Sequence, residues 1–421
     1  VDYEAQDAAV ETENALSEAS PQVHAEAVGN VAFDWAHGDD EVVTSAFNAA
    51  KHVVRLKLIN NRLIVNSMET RAAIGDFDPI TGKATLHTCT QGGWLLKDQI
   101  ANHTLKIDPE LVRILTPDVG GGFGMKTFYY PEQALCLWSA RKFGRPIKWV
   151  GERSESFLSD TMGRDHVTNV ELAFDTEYRI AGMRVDTVAN MGAYLSNFAP
   201  FIPTLAAIKV MPGVYDIKTL YARVRGVFTH TVPVDAYRGA GRPESIYMIE
   251  RLMDKAAKEL RIDRVELRRK NFISSKAMPF TTTADEIYDS GDFEQVINIV
   301  TKKADWNKFE ERRSKTEADG KKRGIGLCYY IESTMGDPGE AAEVRFEKDG
   351  TVSVLVGTQS NGQGHDTAYA QVTSDRLGIP LESVRIVQGD TDIIATGGGT
   401  GGSRSLTAQA TAIDAAADAV I

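Results

Sequence analysis

Asp118-Val119-Gly120-Gly121-Gly122-Phe123-Gly124-Met125-Lys126 places four glycines in nine residues. It follows an apolar, strand-like run, Val112-Arg113-Ile114-Leu115, and precedes a helix-like one, Pro131 to Phe143. Successive glycines let the backbone turn sharply and come into touch with a ligand. Main-chain N–H groups ahead of a helix make an anion-friendly site. Phe123 alone adds bulk there, as a wall would. Taken by itself, the stretch is equally a flexible turn from strand to helix.

The chain repeats the device. Lys83 to Thr88 reads as a strand, Thr88-Cys89-Thr90-Gln91-Gly92-Gly93-Trp94 as a polar loop, and Leu95 to Ala101 as a helix. Gln91 in that loop carries an amide that both donates and accepts. A strand at Val224 to Phe228 leads through Ala236-Tyr237-Arg238-Gly239-Ala240-Gly241-Arg242 to Ser245–Leu260. There Ile246, Ile249, Leu252, Met253 and Ala256 fall at helical spacing. The forks of Arg238 and Arg242 suit oxyanions and polar heterocycle edges, although alone the loop is equally a surface turn with two solvated arginines.

In the second half, Ala342–Glu347 and Thr351–Val356 form a hairpin across Lys348-Asp349-Gly350. It runs into Gly357-Thr358-Gln359-Ser360-Asn361-Gly362-Gln363-Gly364-His365 and a helix, Asp366 to Leu377. A strand at Val384–Val387 precedes Gln388-Gly389-Asp390-Thr391, then Gly397 to Ser405 and an alanine-rich helix. Five glycine-bearing loops thus open five helices. Together they describe a large ligand gripped by main-chain N–H groups and a few amides and hydroxyls, as polyanionic dinucleotide-type cofactors are. Neither the GxGxxG nucleotide fingerprint in its usual setting nor GxxxxGK[ST] accounts for them.

Around these loops the pattern is mixed α/β. Glu41–Lys51 and Phe293–Trp306 read as helices. His52–Leu58, Arg62–Val65, Ile147–Val150, Val167–Phe174, Ile180–Ala189 and Gly324–Glu332 read as strands. Met191–Pro212 fits no element, and Ser274–Ser290 reads as a linker. In the Pro131 helix, Ala134, Leu135, Trp138 and Phe143 are expected to face a core.

With 43% hydrophobic and 25% charged residues, the composition is that of a globular protein. A net charge of −11 argues against nucleic acid as the main partner. The densest basic cluster, Arg261 to Lys270, reads as the solvated end of a helical region. No apolar run approaches the roughly 20 residues of a membrane helix. Cys89, Cys136 and Cys328 are too scattered for a zinc or iron–sulfur site, and their sparseness suits a reducing, cytoplasmic compartment. No residue set reads as a metal site, so a working metal is expected inside an organic cofactor. Val1 at the start and an alanine-rich end without a stop signal read as an internal fragment.

At this point Gly120-Gly-Gly-Phe-Gly124, Ala236-Tyr-Arg-Gly-Ala-Gly-Arg242, Gly362-Gln-Gly-His365, Gln388-Gly-Asp-Thr391 and Gly399-Thr-Gly-Gly-Ser-Arg-Ser405 resemble a known family in family order. It is the molybdenum-cofactor subunit of the xanthine dehydrogenase/aldehyde oxidase family, most similar in the branch called carbon monoxide dehydrogenase large chain. The resemblance implies an α+β (mixed α/β) fold with two molybdopterin-binding domains, truncated at both ends. Residues 1–28 would be the remnant of a hammerhead-like α/β domain, 29–275 the first cofactor-binding domain, 276–322 a linker region and 323–421 an incomplete second domain.

The resemblance further implies molybdenum in a molybdopterin, in a cytosine dinucleotide form. Gln91 would approach an oxo ligand on the metal. Gly121, Gly122, Phe123 and Gly124 would line the metal site with Arg238 beside it, making Gln91, Phe123 and Arg238 the catalytic set. Asn361, Gly362, Gln363, Gly364 and His365, with Thr400, Gly402, Ser403, Arg404 and Ser405, would hold pterin, phosphate or nucleotide. The implied chemistry is hydroxylation of a small molecule, an aldehyde or N-heterocycle, with water as oxygen source. Electrons would leave through 2Fe-2S clusters and FAD on partner subunits of a hetero-oligomer.

Departures from the family pattern narrow this. Gly239 stands where the copper-containing carbon monoxide dehydrogenases carry cysteine, and Thr127 where purine-oxidising members carry glutamate. Asn361 replaces a glutamine. The family's general-base glutamate lies near the far C-terminus, outside this chain. Glu244 and Glu332 are the nearest substitutes and read as structural. The alternative is a non-catalytic or split-subunit homologue that needs another chain for that glutamate.

Overall fold

A computed structural model describes residues 2–334 and 339–421. The chain forms two compact units, each assembled from separated segments.

The first unit comprises Val1–Arg62, Arg164–Thr231 and Ala240–Ser333. Its sheet has the order Val31–Gly38, Leu220–Phe228, Ile180–Gly192, His166–Phe174, His52–Asn60. The Leu220–Phe228 and Ile180–Gly192 strands run parallel and the other neighbours antiparallel. Helix Arg242–Leu260 lies against this sheet. Ile246, Ile249, Leu252, Met253 and Ala256 are all buried, as their spacing predicts. Ile249, Leu252, Met253 and Ala256 join Val54, Val170 and Leu172 from the sheet in one core. Met191–Pro212 completes the long strand and then makes a π-helical turn, Ile202–Ala206, with Ala199, Ile202 and Ala206 to Ile208 buried.

Three expectations in this unit are corrected. The basic cluster is not wholly solvated: Arg268, on helix Arg264–Asn271, is fully buried. Its guanidinium donates to Glu250 at 2.8 and 3.0 Å and to Asp254 at 3.0 Å. Ser274–Ser290 is folded, carrying the two-stranded ladder Phe280–Thr281/Ile287–Tyr288, with Tyr288 Oη donating to Gly213 O at 2.9 Å. Gly324–Glu332 alternates in burial but pairs with no strand among the described residues. Instead the Tyr329 N–H donates to Glu250 Oε2 at 2.8 Å.

The second unit comprises Leu63–Gly163, Val232–Gly239 and Thr334–Ile421. One sheet has the order Val112–Leu115, Ala84–Thr88, Ala72–Phe77, Ile147–Val150, the first pair parallel. Helix Pro131–Phe143 packs on it, with proline at its first turn and Gly144 ending it at φ +63°. Its inner face is Ala134, Cys136, Leu137 and Ala140, whereas Leu135, Trp138 and Phe143 are exposed, contrary to expectation. Small side chains bring this helix close to the sheet, and Lys142 Nζ covers the Trp138 ring at 4.6 Å. Arg62–Val65 is no strand; it contributes an isolated bridge, Leu63 to Gly163.

The other sheet of this unit is Ala342–Phe346, Val352–Val356, Val384–Val387, its last pair parallel. Helices His365–Leu377 and Ser405–Asp418 cover it, burying Val352, Val354, Val356, Tyr369 and Ile413 together. A main-chain seam joins the sheets: Thr116 N to Gly389 O at 2.7 Å and Thr391 N to Ile114 O at 3.2 Å. Arg113 grips Asp390 with two bonds, 3.0 and 2.5 Å. That seam carries the glycine loops of both halves into one neighbourhood. Among the described residues no helix is long and apolar enough to cross a membrane.

Candidate functional site: glycine loops closed around Gln91

The site begins at Gln91, which is buried at the end of the Ala84–Thr88 strand and before the helix Gly93–Asp98. Its Oε1 accepts from Gly124 N at 2.8 Å and its Nε2 donates to Thr400 O at 2.9 Å. Its own carbonyl accepts from Thr400 N at 2.7 Å, and its N–H donates to Lys126 O at 3.0 Å. One amide thus ties the 120–126 loop to the 397–405 loop, although Gln91 and Thr400 are 309 residues apart. One hydrogen of Nε2 remains for a ligand.

The glycine loop fits this brace because it has no side chain where Gln91 lies. A Cβ on Gly122 would come within 2.3 Å of Gln91 Oε1. Gly121 and Gly124 take φ +91° and +109°. Phe123 sits between them at φ +55° and is 43% exposed. A non-glycine residue there is strained, which fits a functional constraint on the ring's position. The Phe123 carbonyl accepts from Arg238 N at 2.9 Å, and the Arg238 guanidinium lies 5.5 Å from the ring centroid.

The 357–365 loop joins through Gln359. Its Nε2 donates to Thr90 O at 2.6 Å, and its carbonyl accepts from Thr400 Oγ1 at 2.6 Å. Gln388 pins the same loop, with Oε1 accepting from Ser360 N at 2.7 Å and Nε2 donating to Asp366 Oδ1 at 3.0 Å. Gln363 bends back, its Oε1 accepting from Asn361 N at 2.6 Å and its Nε2 lying 3.0 Å from His365 Nε2. Burial pushes the His365 imidazole down to about 4, against the opposing pull of Asp366 and Gln388, so the ring is neutral at pH 7. Three buried polar atoms here, Gln359 Oε1, Asn361 Oδ1 and His365 Nδ1, have no hydrogen-bond partner in the protein. A buried polar atom left unpaired in this way takes its partner from outside the protein, a water or a bound group.

The remaining expected residues divide. Thr400 belongs to the brace, and Ser405 Oγ lies 3.4 Å from Thr400 Oγ1. Gly402 and Ser403 form an exposed turn, both at positive φ. Arg404 is buried and turned to Glu340, at 2.5 Å, and to the Gly399 carbonyl, at 3.0 Å. Gly362 and Gly364 are exposed, at φ +105° and +80°. Glu69, Thr90, Gln359, Gln388 and Glu340 were not among the expected site residues. Gln359 and Gln388 stand inside glycine loops and had that signal; Glu69 and Glu340 had none.

Glu244 and Glu332 are both engaged. Glu244 accepts from Arg164 at 3.3 Å and from Gly241 N at 2.9 Å, at the start of the Arg242–Leu260 helix. Glu332 accepts from Arg242 at 2.8 Å and from Tyr330 Oη. Among the described residues no cluster of His, Cys, Asp and Glu has the makings of a metal site.

Two family models, each described as a molybdopterin cofactor-binding domain, match residues 23–272 and 299–421. The carbon monoxide dehydrogenase large chain of Hydrogenophaga pseudoflava is 33% identical over 404 residues, 92% of this chain and 50% of its own. The 6-hydroxypseudooxynicotine dehydrogenase complex subunit gamma of Paenarthrobacter nicotinovorans is 33% identical over 397 residues, 92% of this chain and 48% of its own. The chain therefore spans about half the length of the curated relatives it matches. The crystal structure of quinoline 2-oxidoreductase from Pseudomonas putida 86 superposes with a TM-score of 0.90 at 28% identity, covering 100% of this chain and 55% of that one. With the glycine loops closed around one glutamine and both family models matched, the chain belongs to the molybdopterin-binding large subunits of the xanthine dehydrogenase/aldehyde oxidase family.

Proposed function

We propose that this chain holds a molybdopterin cofactor, in its cytosine dinucleotide form, within the loops around Gln91. In this reading it is the cofactor-bearing part of a molybdenum hydroxylase acting on an aldehyde or an N-heterocycle. The observation that carries the reading is the joining of the 120–126, 357–365 and 397–405 loops through Gln91 and Gln359, with three buried polar atoms left unpartnered on the 357–365 loop. Those atoms, the main-chain N–H groups of the loops and the free Nε2 hydrogen of Gln91 suit a large, polar, anionic group. When bound, the cofactor supplies two-electron oxidation with water as the oxygen source.

The chain's own residues do the positioning. Gln91 orients the cofactor's metal end, while Gly121, Gly122 and Gly124 let it approach the main chain. Phe123 walls the reacting space with Arg238 at its edge. Asn361 to His365, with Thr400 and Ser405, hold the pterin and its phosphates; neutral His365 offers a hydrogen bond without adding charge. Arg404 acts through Gly399 and Glu340, keeping the 397–405 loop in place, and Gly402 and Ser403 present N–H groups. The ion pairs of Glu244 with Arg164 and of Glu332 with Arg242 support structural roles for both, with the base that accepts the proton from water supplied from elsewhere. Gly239 offers no thiolate for copper, which disfavours carbon monoxide as substrate. Iron–sulfur and FAD subunits of a cytoplasmic hetero-oligomer would take the electrons. The two cofactor-binding domains would be residues 29–275 and 323–421, with 276–322 between them.

The test is turnover by the complete native assembly in ¹⁸O-labelled water with a panel of aldehydes and N-heterocycles. Label at the hydroxylated carbon of an N-heterocycle supports the reading, since aldehydes exchange their oxygen with water before oxidation. A molybdenum-loaded assembly that oxidises none of them would move it to the non-catalytic alternative.

A further inference from the structure

The glycine loop is held by a pair of residues that have no part in the proposed cofactor contacts. Lys126 lies at the end of the loop with its side chain fully buried, and its Nζ donates to Glu69 Oε2 at 2.7 Å. The same Oε2 accepts from Gly120 N, at the start of the loop, at 2.8 Å. Glu69 N donates back to Gly120 O at 3.1 Å. The two backbones come so close there that a Cβ on Gly120 would lie 2.5 Å from Glu69 Cβ. One carboxylate oxygen therefore ties together both ends of residues 120–126.

The tie reaches the site through the main chain. Lys126 O accepts from Gln91 N at 3.0 Å and from Thr90 Oγ1 at 3.1 Å. Thr90 O in turn receives Gln359 Nε2. Moving Lys126 thus moves Gln91, which braces Gly124 and Thr400. A buried ammonium is retained only where its partner is in place, so the pair has one stable arrangement and imposes it on the loop.

We infer that Glu69 and Lys126 are positioning residues, a clasp that sets the loop geometry on which Phe123 and Gln91 depend. Their contribution to turnover rests on the cofactor reading above; their contribution to loop order does not. The test uses the complete assembly carrying Glu69→Leu, Lys126→Met, or both. Glu69→Leu strands the buried Lys126 ammonium and is expected to melt at a lower temperature; Lys126→Met leaves Glu69 36% exposed and still bonded to Gly120 N, and is expected to melt closer to the parent. The double variant removes both groups, and its melting temperature is expected to return toward that of the parent.

Two readouts separate positioning from mere stability. Hydrogen exchange across residues 119–127 is expected to remain about tenfold faster in the double variant while global protection recovers. Turnover per bound molybdenum is expected to stay about tenfold lower at unchanged KM. Parent-like exchange in that segment, or parent-like turnover per molybdenum, overturns the inference. Glu69→Leu alone, which removes the acceptor of both Gly120 N and Lys126 Nζ, decides it by the same two readouts should the double variant not assemble. A parent assembly without molybdenum would sink the cofactor reading alone, since the exchange result still decides the clasp.

Discussion

At the scale of single residues, Gly122 is the most exacting position. Alanine there would put a methyl group 2.3 Å from Gln91 Oε1, in an amide already bonded to Gly124 N and Thr400 O. Gly122→Ala is expected to displace the Gln91 amide and to lower molybdenum occupancy about tenfold, equivalent to about 1.4 kcal/mol of binding; metal analysis per mole of chain checks it. His365 makes a second prediction, with a definite sign. Burial lowers its folded pKa from 6.5 to about 4, so the unfolded chain takes up this proton first as pH falls. Its contribution to stability is complete above about 6.5 and is lost as pH falls toward about 4. Buried His166 is depressed in the same direction and adds to the slope. Denaturant titrations at a series of pH values should show stability falling through this window, with a shallower slope for His365→Gln. An unchanged slope would mean that His365 is not buried in its neutral form.

At the scale of elements, the chain was readable wherever local signals agreed. The bounds of Val112–Leu115, Pro131–Phe143, Ile147–Val150 and Val384–Val387 fall where the pattern places them. Proline and glycine punctuate the one helix, and short β-branched runs mark the strands. Misreadings arose where a partner distant in sequence decides. Hydropathy picked Leu135, Trp138 and Phe143 for the core, but the sheet accepts the small face of that helix. Alternation in Gly324–Glu332 promised a strand, yet the Tyr329 N–H goes to the Glu250 carboxylate. A run of cations suggested solvent, and the structure buries Arg268 against Glu250, 18 residues earlier. That pair gives the prediction for this scale. Arg268→Met leaves Glu250 buried with a lost counter-charge and should cost about 3–5 kcal/mol of stability, read as a lower midpoint in urea. A change below about 1 kcal/mol would mean that the pair is solvated and worth little.

At the scale of the whole molecule, the glycine loops were visible in the sequence but their meeting point was not. The repeated arrangement of glycine loop and helix start announced a large anionic ligand, and the motif order pointed to the family. Gln91 stood out as the one amide in its loop. What stayed hidden was the network that joins the loops: Gln91 to Thr400 across 309 residues, and Arg113 to Asp390 across 277. No local pattern encodes such pairings. The same limit hid Glu69 and Glu340, ordinary carboxylates by sequence that hold the 120–126 and 397–405 loops. The proposed cofactor cradle in those loops is open to metal and pterin analysis of the native assembly. The cradle predicts about one molybdenum per chain, with a fluorescent pterin derivative released on oxidation and no copper. An assembly from a host that makes the cofactor, folded yet lacking both molybdenum and pterin, would contradict it and leave the loops as scaffold.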